Sequence, residues 1–311
     1  IEKESREKPK LPLLLQLKDF KYLSKVISLQ KKKYLKGIIY VCLASLFFAI
    51  MSALVKMTTV NLNVIDIIFL RSVISTIILI FFIKKLSSFK TTIYSKHLIR
   101  TVLGILSMVL NFYAIQEIPL SNYSIVSFGK IFFIIPLAYL FLKEKLDIES
   151  FCYITFGFFG IALILGFEDR EKNLLPYYLC AIFASLVIAY IKIFLKSIST
   201  IETNLKIQFF FSLTSIFILL VPYIIYRSQI VLKDLFYIFL LSISGLLAQY
   251  FTVEGLKQSD AVKIMPFDFS RIIFSIIIGI SFFKEQLTVN IIVGSIIIFI
   301  AGCKLIQKKP L

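Results

Sequence analysis

FSRIIFSIIIGISFFKEQL, residues 269–287, can be laid over FGKIFFIIPLAYLFLKEKL, residues 128–146, so that Arg271 falls on Lys130 and Lys284-Glu285 on Lys143-Glu144. Each stretch is apolar and long enough to cross a bilayer, yet each carries a cation in that apolar run, and Asp268 stands just ahead of the later one. A charge at the centre of a helix in lipid costs about 2.5–3.5 kcal/mol on insertion scales, so such residues face partners or water. The same exception at matched positions points to a duplicated chain built around something polar.

The rest of the chain agrees. Of its 311 residues, 59% are hydrophobic and 32 are Phe, and its mean hydropathy of +0.90 is far above that of a soluble domain. A helix needs about 20 apolar residues to cross the hydrocarbon. Ten such windows are read, at 37–59, 63–83, 97–117, 122–142, 148–168, 175–197, 203–226, 233–256, 260–283 and 288–307. "QEIPLSN" (116–122), with its proline, is the clearest tight turn between two of them.

Lysine placement orients the chain. With a cytoplasmic N-terminus, the inner segments hold Lys84, Lys85, Lys90, Lys96, Lys143, Lys145, Lys257, Lys308 and Lys309 besides the basic tail, against Arg170, Lys172, Arg227 and Lys284 outside. Both termini are therefore expected in the cytoplasm, and the net charge of +17 reads as a topology signature rather than a nucleic-acid footprint. Residues 1–36 read either as a basic amphipathic helix on an anionic leaflet or as a disordered leader. The chain opens on Ile1 rather than Met, so its true start is expected upstream, and no cleavable signal peptide is read. Cys42, Cys152, Cys180 and Cys303 lie within the spans as apolar fillers. One histidine, His97, and no HExxH leave little for metal chemistry, and no cofactor is expected.

The duplication extends to other helices. "ASLFFAIMSALVK" (44–56) lies on "ASLVIAYIKIFLK" (184–196), sharing Ala, Ser, Leu, Ala and Lys. Ser45, Ala49, Ser52 and Lys56, like Ser185, Ala189, Lys192 and Lys196, recur at spacings of one helix face. Gly104, Ser107, Asn111 and Ala114 in the third span match Gly245, Ala248, Thr252 and Gly255 in the eighth. Small residues on such stripes let helices approach closely; the polar members suit a watered cavity better. Five spans per half is an odd number, so the second half enters the bilayer from the opposite side. The expected fold is all-α, ten transmembrane helices in two inverted five-helix repeats, 37–168 and 175–307, behind a basic segment 1–36.

"LRSVIS" (70–75), "LIRTVLG" (98–104), "KEKL" and "KEQL" closing spans four and nine, and "PFDFSRIIFSIIIGISFFKE" (266–285) together resemble the drug/metabolite transporter superfamily, EamA type, over about 37–307. The last resembles the ninth-span pattern of bacterial members, including a branch of S-adenosylmethionine carriers. The resemblance implies ten helices, a cavity lined by spans 1, 3, 4, 6, 8 and 9, and alternating access. It leaves the substrate open.

Asp268 and Arg271, three apart, read either as a structural pair or as a carboxylate orienting an anion-binding guanidinium. Lys130 has no acid within four residues: it either meets an outside partner, Asp268, Glu254 or a substrate anion, or is neutral in a dry site with a proton-coupling role. Lys192 either snorkels or meets substrate. Arg71, in a span the family places at the periphery, reads as structural. Glu254 and Lys257 read as a local i,i+3 pair or a gate, and Glu144 and Glu285 as boundary anchors. Asn111, Tyr123 and Thr252 are expected to supply neutral hydrogen bonds, with Phe128 and Phe132 stacking on a ring.

The expected function is secondary transport across the cytoplasmic membrane of a small polar metabolite, anionic or zwitterionic, with S-adenosylmethionine or an amino-acid or nucleotide derivative as candidates. Its partners would be the bilayer, the substrate and a coupling ion or exchanged metabolite, with no nucleic acid. No GxxxxGK[ST] pattern for ATP hydrolysis is present. A lipid enzyme is disfavoured by the lack of a His/Asp/Ser or His/Glu constellation, and a channel by the lack of repeated charge rings.

Overall fold

In lipid every backbone N–H and C=O must be satisfied within the chain, and an apolar helix does that alone. The computed structural model describes residues 13–82, 90–142, 148–166, 174–258, 264–286 and 288–307. Lys84, Lys85, Lys143, Glu144, Lys145, Arg170, Lys172, Lys308 and Lys309 lie outside them. The described helices are α1 (Leu13–Thr58), α2 (Val64–Phe82), α3 (Tyr94–Glu117), α4 (Leu120–Phe128), α5 (Lys130–Leu142), α6 (Ile148–Gly166), α7 (Leu175–Ser199), α8 (Asn204–Tyr226), α9 (Leu232–Gln258), α10 (Ser270–Phe283) and α11 (Val289–Gln307), with a 3₁₀ turn at Met265–Phe269.

Among the described residues, six segments are long and apolar enough to span a membrane: Lys32–Thr58, α2, α3, α7, α8 and α9. Shorter apolar helices occur at Leu120–Ile134, Phe151–Ile164 and Val289–Lys304. The protein is a multi-pass helical membrane protein. From Leu13 the tail is helical and runs unbroken into the first span.

Two stretches expected as continuous spans are broken. The span at 122–142 divides at Gly129, whose N–H bonds to Val126 O at 2.9 Å in a tightened turn. Glycine suits this position because a Cβ there would lie 2.8 Å from Ile161. The span at 260–283 enters through the 3₁₀ turn, with Pro266 at its start supplying no N–H. These breaks fall at Lys130 and Asp268.

Helix α1 packs on α9 and α10, α2 on α8, α3 on α7, α6 on α11, and α4 on both α7 and α10. Small residues set the closest approaches. A Cβ on Gly255 of α9 would lie 3.4 Å from Gly37 O of α1, and one on Gly294 of α11 would lie 2.9 Å from Gly160 O of α6.

Polar clasps tie the two ends of the bundle. At one, Asn61 donates to Asp234 (3.0 Å), Asn63 to Ser228 (3.2 Å), and the Ser228 N–H to Asp66 (2.9 Å). At the other, Thr91 donates to Glu202 (2.6 Å), which also pairs with Lys206 (3.1 Å). Partial burial opposes the Glu202 charge, but the Thr91 and Lys206 contacts outweigh it and hold its carboxyl below the usual range. The Glu254–Lys257 pair forms as its spacing predicts, at 3.0 Å.

Glu285 does more than anchor a boundary. Lys284 ends α10 in the left-handed conformation (φ 54°), turning the chain back so that the Glu285 carboxylate reaches the start of α4. There it accepts from the N–H groups of Leu120 (2.6 Å) and Ser121 (3.1 Å) and from Ser121 Oγ (2.7 Å), and it pairs with Lys56 at 3.6 Å. An acid satisfying orphan donors at a helix N-terminus is doubly favoured, by hydrogen bonding and by the helix dipole.

The Gly160–Gly294 contact leaves no room for a side chain. Gly294→Val is expected to cost about 1–3 kcal/mol by overpacking, read as a lowered unfolding temperature in detergent. An unchanged temperature would contradict the close approach of α6 and α11.

Candidate functional site

A cavity of about 120 Å³ lies among α1, α2, α3, α4, α5, α7, α8, α9 and α10. Since a water needs roughly 10–15 Å³ of such space, and the lining is rich in polar groups, the chamber has room for several waters. Of the residues singled out from sequence, Lys130, Arg271, Asn111, Tyr123, Thr252 and Lys192 all line it, and Asp268 lies behind Lys130 and Arg271.

Asp268 is the hub of this arrangement. Its carboxylate accepts from Ser45 Oγ of α1 (2.6 Å) and from Arg271 Nη2 (3.2 Å), and forms a buried ion pair with Lys130. Both broken spans contribute. The Gly129 break starts a new helix at Lys130, and the 3₁₀ turn carries Asp268 one turn ahead of Arg271. The matched cations of the two stretches thus meet on one carboxylate, each buried. Asp268, one of the partners the sequence left open for Lys130, is the one found.

Around this hub the groups are mostly neutral. Tyr123 donates to Asn111 Oδ1 (2.7 Å), and Asn111 donates to Ser107 O (2.5 Å), a chain along α3 and α4. Lys192 points inward rather than snorkelling: it is 8% exposed, 3.4 Å from Thr252 Oγ1 and above the Phe48 ring. Arg271 also covers Phe48, 4.3 Å from its centroid.

Phe128 and Phe132 are corrected. Both are buried core residues, Phe128 edge-on to Phe269 and Phe132 beside Phe158. Phe132 is two positions from Lys130, about 200° around α5, so it faces away when Lys130 faces the cavity, whereas Phe128 ends α4 before the break at Gly129. Phe48, Phe112, Phe211 and the Tyr123 ring line it instead.

Arg71 is corrected too. It is not peripheral but lines the chamber, because Gly245 of α9 leaves space for its guanidinium. Arg100 and Gln249, also lining residues, were not singled out. Arg100 had a readable signal: it stands four residues before Gly104 and extends the Gly104–Ser107–Asn111 stripe by one turn. No Asp or Glu is among the described lining residues.

The profile of the EamA-like transporter family matches residues 35–166 and again residues 174–306. The chain belongs to the EamA-like transporter family. Similar to this EamA-like protein is an uncharacterized transporter of Helicobacter pylori, 28% identical over 276 residues, covering 86% of this chain and 93% of that one. So are the pseudopaline exporter CntI of Pseudomonas aeruginosa, 24% identical across 88% of this chain and 96% of its own, and the S-adenosylmethionine uptake transporter of Rickettsia prowazekii, 24% identical across 89% and 95%. A solved crystal structure, 14% identical, superposes with a TM-score of 0.63 over 89% of this chain and 96% of its own, so the fold is shared. Family membership and transporter-named relatives point to transport rather than enzymatic turnover.

Removing the Asp268 charge would leave Lys130 and Arg271 buried without their carboxylate. Asp268→Asn is expected to destabilise by about 3–5 kcal/mol in thermal unfolding, and Asp268→Asn with Lys130→Met to recover part of that loss. A single variant as stable as the unmodified protein would contradict the ion-pair hub.

Proposed function

We propose that this EamA-like protein is a secondary transporter of the cytoplasmic membrane that moves a small polar anionic or zwitterionic metabolite by alternating access. The observation that carries the reading is a chamber with room for water, lined by five basic side chains and backed by one carboxylate. Arg271 and Lys130 grip the anion, Asp268 orients Arg271, and Asn111, Tyr123, Thr252 and Lys192 supply further hydrogen bonds. Asp268 already holds part of the charge of Lys130 and Arg271, so substrate competes for them rather than meeting bare cations.

The same reading has ten spans in two inverted repeats, 37–168 and 175–307, with both termini cytoplasmic. Helix packing supports it. Exchanging the halves turns the α1–α9 contact into the α7–α3 contact, and carries α2–α8 and α6–α11 onto themselves. Two family matches of similar length agree with it. A site at the interface of such repeats is where rocking of one half on the other alternates access. The energy source is a coupling ion or an exchanged metabolite. One relative is named for export and another for uptake, so their names support no direction.

The test is a thermal-shift screen of purified protein against amino acids, nucleotides, phosphates and S-adenosylmethionine, repeated with Lys130→Ala and Arg271→Ala. The expected outcome is a stabilising ligand whose effect drops at least roughly ten-fold in both variants, as for loss of a charge-assisted hydrogen bond. Saturable counterflow of that ligand from preloaded vesicles then distinguishes a carrier from a channel. Variants that keep the full ligand response sink the assignment.

A further inference from the structure

Two cations of the chamber have no task in that reading. Arg71 of α2 and Arg100 of α3 are 3% and 6% exposed, and both line the cavity. Neither meets a carboxylate among the described residues. Arg71 has the Met108 sulfur against Nη1, Arg100 donates Nη2–H to Gln249 at 2.9 Å, and Nε of each has no partner.

Their placement is built. A Cβ on Gly245 would lie 2.5 Å from Arg71 Nη2, and one on Gly104 would lie 2.7 Å from Arg100 Nη1. Phe211 supports the Arg100 guanidinium, 3.8 Å from its ring centroid. The spacing follows from two helices independently. Arg71 lies against Met108 of α3 and Gly245 of α9; Arg100 lies against Gly104 of α3 and Gln249 of α9. In each helix those positions are four residues apart, about 6 Å of helix rise, so the two guanidiniums are neighbours in the cavity about one turn apart.

Two guanidiniums this close, buried and without an acid, repel one another and are costly unless an anion joins them. One carboxylate carries a single charge, which the fork of one arginine already matches. A phosphate monoester carries about −1.5 to −2 near neutral pH and three acceptor oxygens, enough to engage both forks. We propose that Arg71 and Arg100 form a phosphoryl subsite, and that the transported metabolite is a small phosphate monoester. This rests on the transport reading of the chamber and names its substrate class. The remainder of the molecule then faces Asn111, Tyr123 and Lys130. S-adenosylmethionine, with a sulfonium and an ammonium, does not suit a chamber of this sign.

The test uses the full chain in lipid nanodiscs, with calorimetric titration of glycerol 3-phosphate, glucose 6-phosphate, inorganic phosphate, sulfate, dimethyl phosphate and succinate. At least one monoester is expected to bind at least roughly ten-fold more tightly than dimethyl phosphate or succinate, since only the monoester concentrates two charges on one group. Its affinity falls as pH drops from 7.5 to 5, through the second phosphate ionisation near pH 6, while that of sulfate, a dianion throughout, stays level. The sulfate arm separates ligand ionisation from titration of His97, which sits one turn from Arg100. Asp268, Lys130, Lys192, Arg271 and Tyr123 face the chamber in both arms alike.

Arg71→Gln and Arg100→Gln are each expected to weaken monoester binding roughly ten-fold or more, with Arg71→Lys in between because the charge survives and the fork does not. The pH comparison needs no variant and stands even if one fails to fold. If the Lys130 and Arg271 variants abolish a ligand response that the Arg71 and Arg100 variants keep, the phosphoryl subsite falls and the transport site stands. If none of the four alters it, both fall. No monoester binding by the unmodified chain, or sulfate following the same pH curve as the monoester, overturns the proposal.

Discussion

An ionised carboxylate in a medium of low dielectric is tolerated only with its counter-charges and hydrogen bonds in place. Asp268 has all of them: Lys130 from α5, Arg271 from the first turn of α10, and the Ser45 hydroxyl from α1. The interior of this protein is arranged to make that set possible. Helix α5 begins at Lys130 because the chain breaks at Gly129. Asp268 sits in a 3₁₀ turn ahead of α10, so acid and guanidinium share a face. Holding α1, α5 and α10 to one point leaves the remaining polar side chains around a wet space beside it.

That hub also divides the cations of the chamber into two kinds. Lys130 and Arg271 are compensated at rest, and whatever displaces Asp268 from them must offer as much. Arg71 and Arg100 are held in place by glycine clearances and an aromatic face rather than by an acid. Their energy in the resting state is therefore higher, and an arriving anion gains more there. Charge within the chamber is uneven, and under the proposed phosphoryl subsite that unevenness would orient a ligand as well as place it.

Much of the architecture was legible in the chain. A mean hydropathy this high and polar breaks this regular leave few alternatives to a helical bundle, so spans such as 63–83 and 203–226 fall within a residue or two of α2 and α8. The breaks in the fourth and ninth spans were not legible, because hydropathy averages over about 20 residues and a single tightened turn does not alter it. Lys130, Asp268 and Arg271 stood out because their cost in lipid is high. Arg100 did not, being near the start of its span, where a cation is ordinarily unremarked; only the stripe it extends ties it to Asn111. Phe132 misled because a ring two positions from a charge lies on the far side of their shared helix, and Phe128 because the break at Gly129 puts it on a different helix from Lys130. Arg71 misled because its environment is made by a glycine on α9, over 170 residues away.

The hook at Glu285 bears on how the molecule changes state. One carboxylate there closes off two main-chain donors and a hydroxyl of α4 while facing the Lys56 ammonium, so three segments are latched by a single group. Because these bonds share one carboxylate, parting the three segments at that face loses them together, and the hook holds the start of α4, the end of α1 and the end of α10 as one unit.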